Sequence, residues 1–139
     1  MSKSIKVRKG LDLKLVGEAE RVIVDAPASS TFAIKPPDFH GMVPKMVAKI
    51  GDKVKAGSVL FKDKYNLDIN FVSPVSGTLK DIKRGAKRRI LEVIVEADGA
   101  NEYETIDVSG ASGDREAAMS FLQSAGLWPF IKMLSLIHI

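Results

Sequence analysis

The stretch GDKVKAGSVLFKDKYNLDINFVSPVSGTLKDI, residues 51–82, decides the fold of this chain. It is built from short runs of alternating apolar and polar residues, a pattern typical of half-buried β-strands. Gly51 and Gly57 mark sharp bends in the first half, and Gly77 and Gly85 take corresponding places in the second. Two similar β units that face each other predict a small quasi-symmetric β-sandwich over residues 42–96.

The residues before this unit are also of β type. Apolar and polar residues alternate from Ile5 to Leu15, and residues 21–25 form a compact run of mostly β-branched residues that predicts a further strand. A proline-rich segment then leads into the sandwich. We therefore expect an N-terminal β segment at residues 1–37 and the sandwich domain at 38–97.

The period of the sequence changes after the sandwich. Residues 98–113 are rich in small and acidic residues and predict a linker with one short strand near Tyr103–Val108. Asp114 is a suitable N-cap for a helix that ends before Gly126. This helix needs an apolar partner, which we expect in a truncated α/β domain that begins with residues 114–132.

Composition excludes several kinds of site. The 139 residues include no cysteine, so disulfides, thiolate zinc sites and cysteine-ligated iron–sulfur clusters are excluded in this chain. The two histidines, His40 and His138, are far apart in sequence, and we expect no metal site. No convincing general acid–base pair is present, so no residue is assigned a catalytic role, and the cofactor-binding residues stay unknown.

The same sequence sets expectations for membranes and nucleic acids. It has no apolar run of about 20 residues that would span a bilayer, and its first ten residues lack the apolar stretch of a signal peptide. We therefore expect a cytoplasmic chain that meets a membrane only through partners. The net charge of +4 is mild and no aromatic residues interleave with the basic ones, so no nucleic acid is expected as a partner.

Residues 51–82 resemble the biotinyl and lipoyl carrier domains, in which a lysine at a hairpin tip carries the prosthetic group. The tip here falls near Asn66–Leu67, neither of which is lysine, and Lys62 and Lys64 lie earlier, on the strand. We therefore predict a carrier-like fold, a barrel-sandwich hybrid of mainly β class, without attached biotin or lipoate.

Three further segments have alternative interpretations. A basic cluster around Gly85 suits a phosphate, an anionic lipid or an acidic protein partner, or is simply a solvated turn. Gly110 and Gly113 precede the helix, where an anion could bind. The apolar segment SAGLWPFIK, residues 124–132, favours core packing or a domain interface, with quinone contact as the alternative. The basic cluster consists of Lys83, Arg84, Lys87, Arg88 and Arg89.

Four segments together are similar to the NqrA family, the first of the subunits of sodium-translocating NADH:quinone reductases. They are KGLDLKLVG (9–17), FHGMVPKMVAKIGDKVKAGSVLFKDKYN (39–66), FVSPVSGTLKDIKRGAKRRILEVIVEADG (71–99) and SAGLWPFIK (124–132). The resemblance extends from Ser2 to about Lys132. After it the chain ends in MLSLIHI, residues 133–139, which departs from the family and resembles a translated sequencing adapter. We expect residues 133–139 to be a non-native tail.

The resemblance implies a peripheral subunit on the cytoplasmic side of the bacterial inner membrane. The complex would couple NADH oxidation and quinone reduction to sodium export, with flavins and iron centres in other subunits. Those subunits would be the partners, with quinone as a ligand of the full-length protein, and this part of the chain would bind no cofactor and be inactive alone. The rival interpretations are the RnfC component of the Rnf electron-transfer complex, a carrier module and a basic nucleic-acid-binding domain.

Overall fold

The computed structural model describes residues 16–17, 20–25, 27–109 and 113–131. The predicted strands between Ile5 and Leu15, and with them most of the N-terminal β segment 1–37, lie outside the described residues. Gly110, His138 and the predicted tail 133–139 lie outside them as well.

Two antiparallel sheets form the sandwich. One has four strands in the order β1-β7-β6-β3, and the other has three in the order β2-β4-β5. One α-helix, α1, occurs in the described part of the chain, at Arg115–Ser124. The strands are β1 (Thr31–Ile34), β2 (Pro44–Met46), β3 (Lys53–Val54), β4 (Val59–Asp63), β5 (Asn70–Val72), β6 (Gly77–Arg84) and β7 (Ile90–Ala97).

The core lies between the two sheets and consists of the inward side chains of the alternating runs. Phe61 on β4 and Phe71 on β5 are register partners, and their rings stack with centroids 4.8 Å apart. Leu79 and Val93 face them from the other sheet and are fully buried. The buried apolar residues are Val54, Leu60, Phe61, Phe71, Leu79, Ile90, Val93 and Val95. The predicted sandwich over residues 42–96 is confirmed, because β2 to β7 and this core fall within or at the edge of that range.

Gly77 is required where β6 crosses β7. A Cβ atom built at this position would collide with the backbone carbonyl oxygen of Glu96. Only a glycine allows the two strands to approach this closely at the start of the hairpin.

The predicted strand at residues 21–25 is wrong. These residues have no strand partner, and Ile23 is 96% exposed. Thr31–Ile34 forms β1 instead, because its register with β7 pairs Thr31 with Glu96 and Ile34 with Val93. The four-stranded sheet therefore includes residues on the N-terminal side of residue 38.

The linker after β7 lies along the sandwich rather than forming the predicted strand at Tyr103–Val108. Tyr103 makes only an isolated bridge to Ala56. The Ala56 N–H donates to the Glu102 carbonyl at 2.9 Å, and the Glu104 N–H donates to the Ala56 carbonyl at 2.8 Å. These two backbone bonds fix the start of the linker, and no extended ladder follows them in the described residues.

Helix α1 begins as predicted. The Asp114 carboxylate accepts a hydrogen bond from the Ala117 N–H at 2.8 Å, which satisfies one of the free donors at the helix N-terminus. The helix ends at Gly126, whose φ of +72° suits glycine. The same carboxylate occupies the position at which an anion would bind beside Gly113.

The end of α1 packs on the sandwich, whereas the sequence pattern favours a partner in a following domain. The Asn70 amide Nδ2 on β5 donates to the Ser124 carbonyl at 2.8 Å. A Cβ atom at Gly126 would lie 2.6 Å from Cγ1 of Val72, so the glycine permits a close approach to β5. Non-local contacts that no local pattern encodes therefore hold the helix.

Candidate functional site

An aromatic groove lies between the end of α1 and the segment that precedes β2. It has a volume of about 570 Å³, within the range of small-molecule sites, which is about 300–1,000 Å³. Its lining residues are Asp38, Phe39, His40, Gly41, Met42, Asp63, Ile69, Phe71, Trp128 and Pro129.

Edge-to-face contacts between rings build the wall of this aromatic groove. The Phe39 ring lies 4.8 Å from Phe71 and 5.9 Å from Phe130, at interplanar angles of 73° and 77°. Such T-shaped pairs are favourable because the positive edge of one ring meets the negative face of the other. Phe71 is buried, whereas Phe130 is 64% exposed. The wall thus extends from the core to the surface, and a flat apolar ligand could lie against it.

Backbone contacts at the Asp63 carboxylate fix the polar side of the aromatic groove. The Asp63 carboxylate accepts hydrogen bonds from the N–H groups of Val43 and Tyr65, at 3.4 and 3.2 Å. The Lys64 N–H in turn donates to the Val43 carbonyl at 2.8 Å. These bonds hold the segment before β2 against the end of β4, while His40 projects at the surface of the groove.

A second groove, with a volume of about 690 Å³, lies on the other side of the same segment. We call it the basic groove. The four-residue set Arg84, Lys87, Arg88 and Arg89, which we call the basic turn, lines one wall. Phe39, Met42, Val43 and Pro44 line the other, and the buried Ile90 contributes between them. Cationic side chains therefore border an apolar surface.

The structure separates the five basic residues that are grouped in the sequence. Lys83 points to the opposite face of the hairpin, where its ammonium group lies 3.0 Å from the Glu92 carboxylate. The hydrogen bond and charge of Lys83 hold the pKa of Glu92 below its usual range. Lys83 is thus engaged within the sheet, and the other four cations remain as the basic turn.

The tip of the β4–β5 hairpin is at Asn66–Leu67, as the sequence predicts. Lys64 lies one residue beyond β4 rather than on it, and Lys62 is on the strand. Among the described residues, no group of three or more acidic or histidine side chains is placed to hold a metal ion. No helix in the same part of the chain is long and apolar enough to cross a bilayer.

Sequence reasoning found one half of the aromatic groove and missed the other. Trp128 and Phe130 belong to the apolar segment that stands out in the sequence, and the structure brings Phe39 and Phe71 to them. Phe39 follows two prolines and precedes the pair His40–Gly41. An aromatic residue in a polar, turn-rich segment was the available signal for this half.

The two sheets, the hairpin without a tip lysine and the docked helix define a carrier-like barrel-sandwich domain that has no carrier lysine at its tip. The family model described as "NqrA N-terminal barrel-sandwich hybrid domain" matches residues 5–98. Because this match covers more than half of the chain, the chain belongs to that family.

Named relatives agree with this family, and all of them are the NqrA protein of a Na(+)-translocating NADH-quinone reductase. Over 131 residues the chain is 39% identical to that of Saccharophagus degradans, a match that covers 92% of this chain and 29% of the relative. The protein of the same name from Neisseria meningitidis serogroup C is 38% identical over 132 residues, with 92% and 29% covered. That from Psychromonas ingrahamii is 45% identical over 95 residues, with 68% and 21% covered. The chain thus spans less than a third of the length of these relatives.

Proposed function

We propose that this chain is the N-terminal part of the NqrA component of a sodium-translocating NADH:quinone reductase. The complete complex would couple NADH oxidation and quinone reduction to sodium export, and its other subunits would be the partners of this one. NADH, flavins and iron centres would be bound elsewhere in the complex. The protein would lie peripherally on the cytoplasmic side of the membrane and meet it only through the complex. The family match over residues 5–98 is the observation that supports this proposal best.

Within that protein, the role of the aromatic groove would be quinone contact. A quinone head group is a flat ring with two carbonyl oxygens, and flat rings pack well against edge-to-face aromatic walls. The groove offers Phe39, Trp128 and the core ring of Phe71 for this contact. The exposed His40 lies beside them and could donate a hydrogen bond to a carbonyl oxygen.

The test uses Trp128, the only tryptophan of the chain, as the reporter. Titration with a short-chain ubiquinone is expected to quench its fluorescence in a saturable manner. Phe39→Leu should weaken this binding several-fold because it removes one ring of the wall. Tyr65→Leu is the matched control, because Tyr65 is an exposed aromatic residue near the hairpin tip and does not line the groove. Quenching that rises linearly without saturation, or an equal loss in both variants, would count against quinone contact here.

The proposal also predicts that the isolated chain neither oxidises NADH nor reduces quinone. It has no cysteine for an iron–sulfur centre and no glycine-rich phosphate-binding motif. Incubation of the pure chain with NADH and a soluble quinone, followed at the NADH absorbance band, should show no decrease above the rate without protein. Enzyme-dependent turnover would contradict this prediction.

A further inference from the structure

The basic turn concentrates the charge excess of the molecule at one point. All four of its side chains belong to exposed residues, and no carboxylate of the described residues forms an ion pair with any of them. Without these four, the chain has as many basic as acidic side chains. The net charge of +4 is thus equal to the charge of a single β-turn, which favours an anionic partner at this position.

The backbone of the basic turn is unusual for the residues that it carries. Lys87 and Arg88 have φ angles of +54° and +60°, and the Arg89 N–H donates to the Ala86 carbonyl at 3.2 Å. Positive φ at both central residues is the feature of a type I′ turn, which favours Asn-Gly. A Lys-Arg pair is a poor choice for this backbone, so the geometry of the turn does not explain it. Strained positions of this kind occur where the side chains serve binding.

The surface next to the turn is concave and partly apolar. The basic groove separates the turn from the segment that contains Phe39, Met42 and Val43, and Val43 is 38% exposed. An occupant of this groove would meet cations on one side and apolar side chains on the other.

We propose that the basic groove is a docking surface for an acidic polypeptide segment that binds in extended conformation. In an extended chain successive side chains point to opposite sides, so acidic residues can face the basic turn while apolar ones face Met42 and Val43. A flat bilayer surface would touch the rim of the groove and leave its apolar wall uncovered. A free phosphate would use only the cations, which stand apart along the rim. This inference rests on the proposed function, because it assigns one surface to a partner protein of the complex.

The test measures binding of a fluorescein-labelled peptide in which glutamate alternates with phenylalanine and valine, by fluorescence anisotropy at low salt. The double variant Arg88→Glu, Arg89→Glu should weaken binding at least about tenfold, because close opposite charges become like charges. The matched control is Lys49→Glu, Lys64→Glu, which changes the net charge equally at exposed lysines outside the groove. Its affinity should stay within about twofold of the unaltered chain.

A second variant guards against misfolding. Arg88→Gly removes one cation and suits the positive φ, so it should remain folded and still bind the peptide several-fold more weakly. Met42→Ser should also weaken binding, because the apolar wall takes part. A scrambled peptide with the same composition but clustered acidic residues should bind less tightly than the alternating one.

Four outcomes would overturn the docking proposal. They are no binding of the alternating peptide, an equal loss of affinity in the control variant, tighter binding to phosphatidylglycerol vesicles than to the peptide, and displacement of the peptide by equimolar pyrophosphate. The vesicle result would identify an anionic membrane as the occupant, and the pyrophosphate result a small phosphate ligand. Each of them leaves the quinone titration of Trp128 unaffected, since that residue does not line the basic groove.

Discussion

Replacement of Arg88 by glycine should stabilise the domain, although it removes a side chain from a well-formed hairpin. Arg88 adopts a φ of +60°, which places its Cβ atom too close to the backbone and costs about 1–2 kcal/mol. Glycine removes this cost. The longer-range contact at this residue survives the change, because the Arg84 guanidinium donates to the backbone carbonyl of Arg88 rather than to its side chain.

The expected gain is smaller than the strain that is relieved. Glycine also makes the unfolded chain more flexible, which costs about 0.4–1 kcal/mol. The net stabilisation of Arg88→Gly should therefore be about 0.5–1 kcal/mol. Urea unfolding followed by far-ultraviolet circular dichroism detects this, because with a slope of about 1–3 kcal/mol per molar urea the midpoint rises by about 0.3–0.5 M.

The neighbouring residue supplies the control. Arg89 has the same side chain in the same hairpin, but its φ of −60° is ordinary for any residue. Arg89→Gly therefore has no strain to relieve, and only the entropic cost remains, so its midpoint should fall. If both glycine variants shifted the midpoint in the same direction by the same amount, the strain assigned to Arg88 would be refuted.

Four further outcomes are expected. Gly77→Ala should destabilise the fold by about 3 kcal/mol or more, since its methyl group meets a backbone carbonyl that cannot move aside; Gly113→Ala, in open space, should have little effect, and similar urea midpoints for the two would contradict this explanation. Gly126→Ala should release α1 from β5, which hydrogen exchange would report as faster exchange of residues 115–124 with unchanged protection of the core strands; unchanged exchange of the helix would disprove the docking role. The Ser76 hydroxyl and a backbone N–H lower the pKa of Asp98, so the stability that this carboxylate contributes is present above its unfolded pKa and is lost as the pH falls below about 4; Ser76→Ala should flatten that part of the stability–pH curve, and an unaltered curve would exclude the pair as its cause. Co-expression with biotin and lipoate ligases should leave the intact mass unchanged, because the hairpin tip has no lysine; a mass increase matching either group would show modification.

The sandwich could be predicted because the information for it is local. In residues 51–82 the glycines, the apolar alternation and the hairpin tip all lie within a few residues of the structures that they determine. The N-cap of α1 is local in the same way, since Asp114 contacts an N–H only three residues ahead. The pairing of β1 is not local. Residues 21–25 have the stronger β-branched composition, yet Thr31–Ile34 forms the strand because it reaches the free edge of β7 in register.

The candidate sites were predictable to different degrees for similar reasons. The basic residues around Gly85 are visible in the sequence, but their positive φ angles are not, because Lys-Arg is not a turn signature. The aromatic groove needs a contact between Phe39 and Phe130, which are far apart along the chain. Likewise, the packing of α1 depends on a single amide, Asn70, on β5. Patterns with periods of two or four residues cannot contain such contacts.

The segment 39–42 lies between the two grooves and lines both of them. It has no strand or helix of its own, and a few contacts hold it. The Met42 N–H donates to the Phe39 carbonyl at 3.4 Å, and the Phe39 ring packs on Phe71. An occupant of the basic groove that pressed on Met42 would therefore also press on the residue pair that supports the aromatic wall. Since a 3.4 Å hydrogen bond is long and weak, this segment is the part of the described chain through which the two surfaces can influence each other at least energetic cost.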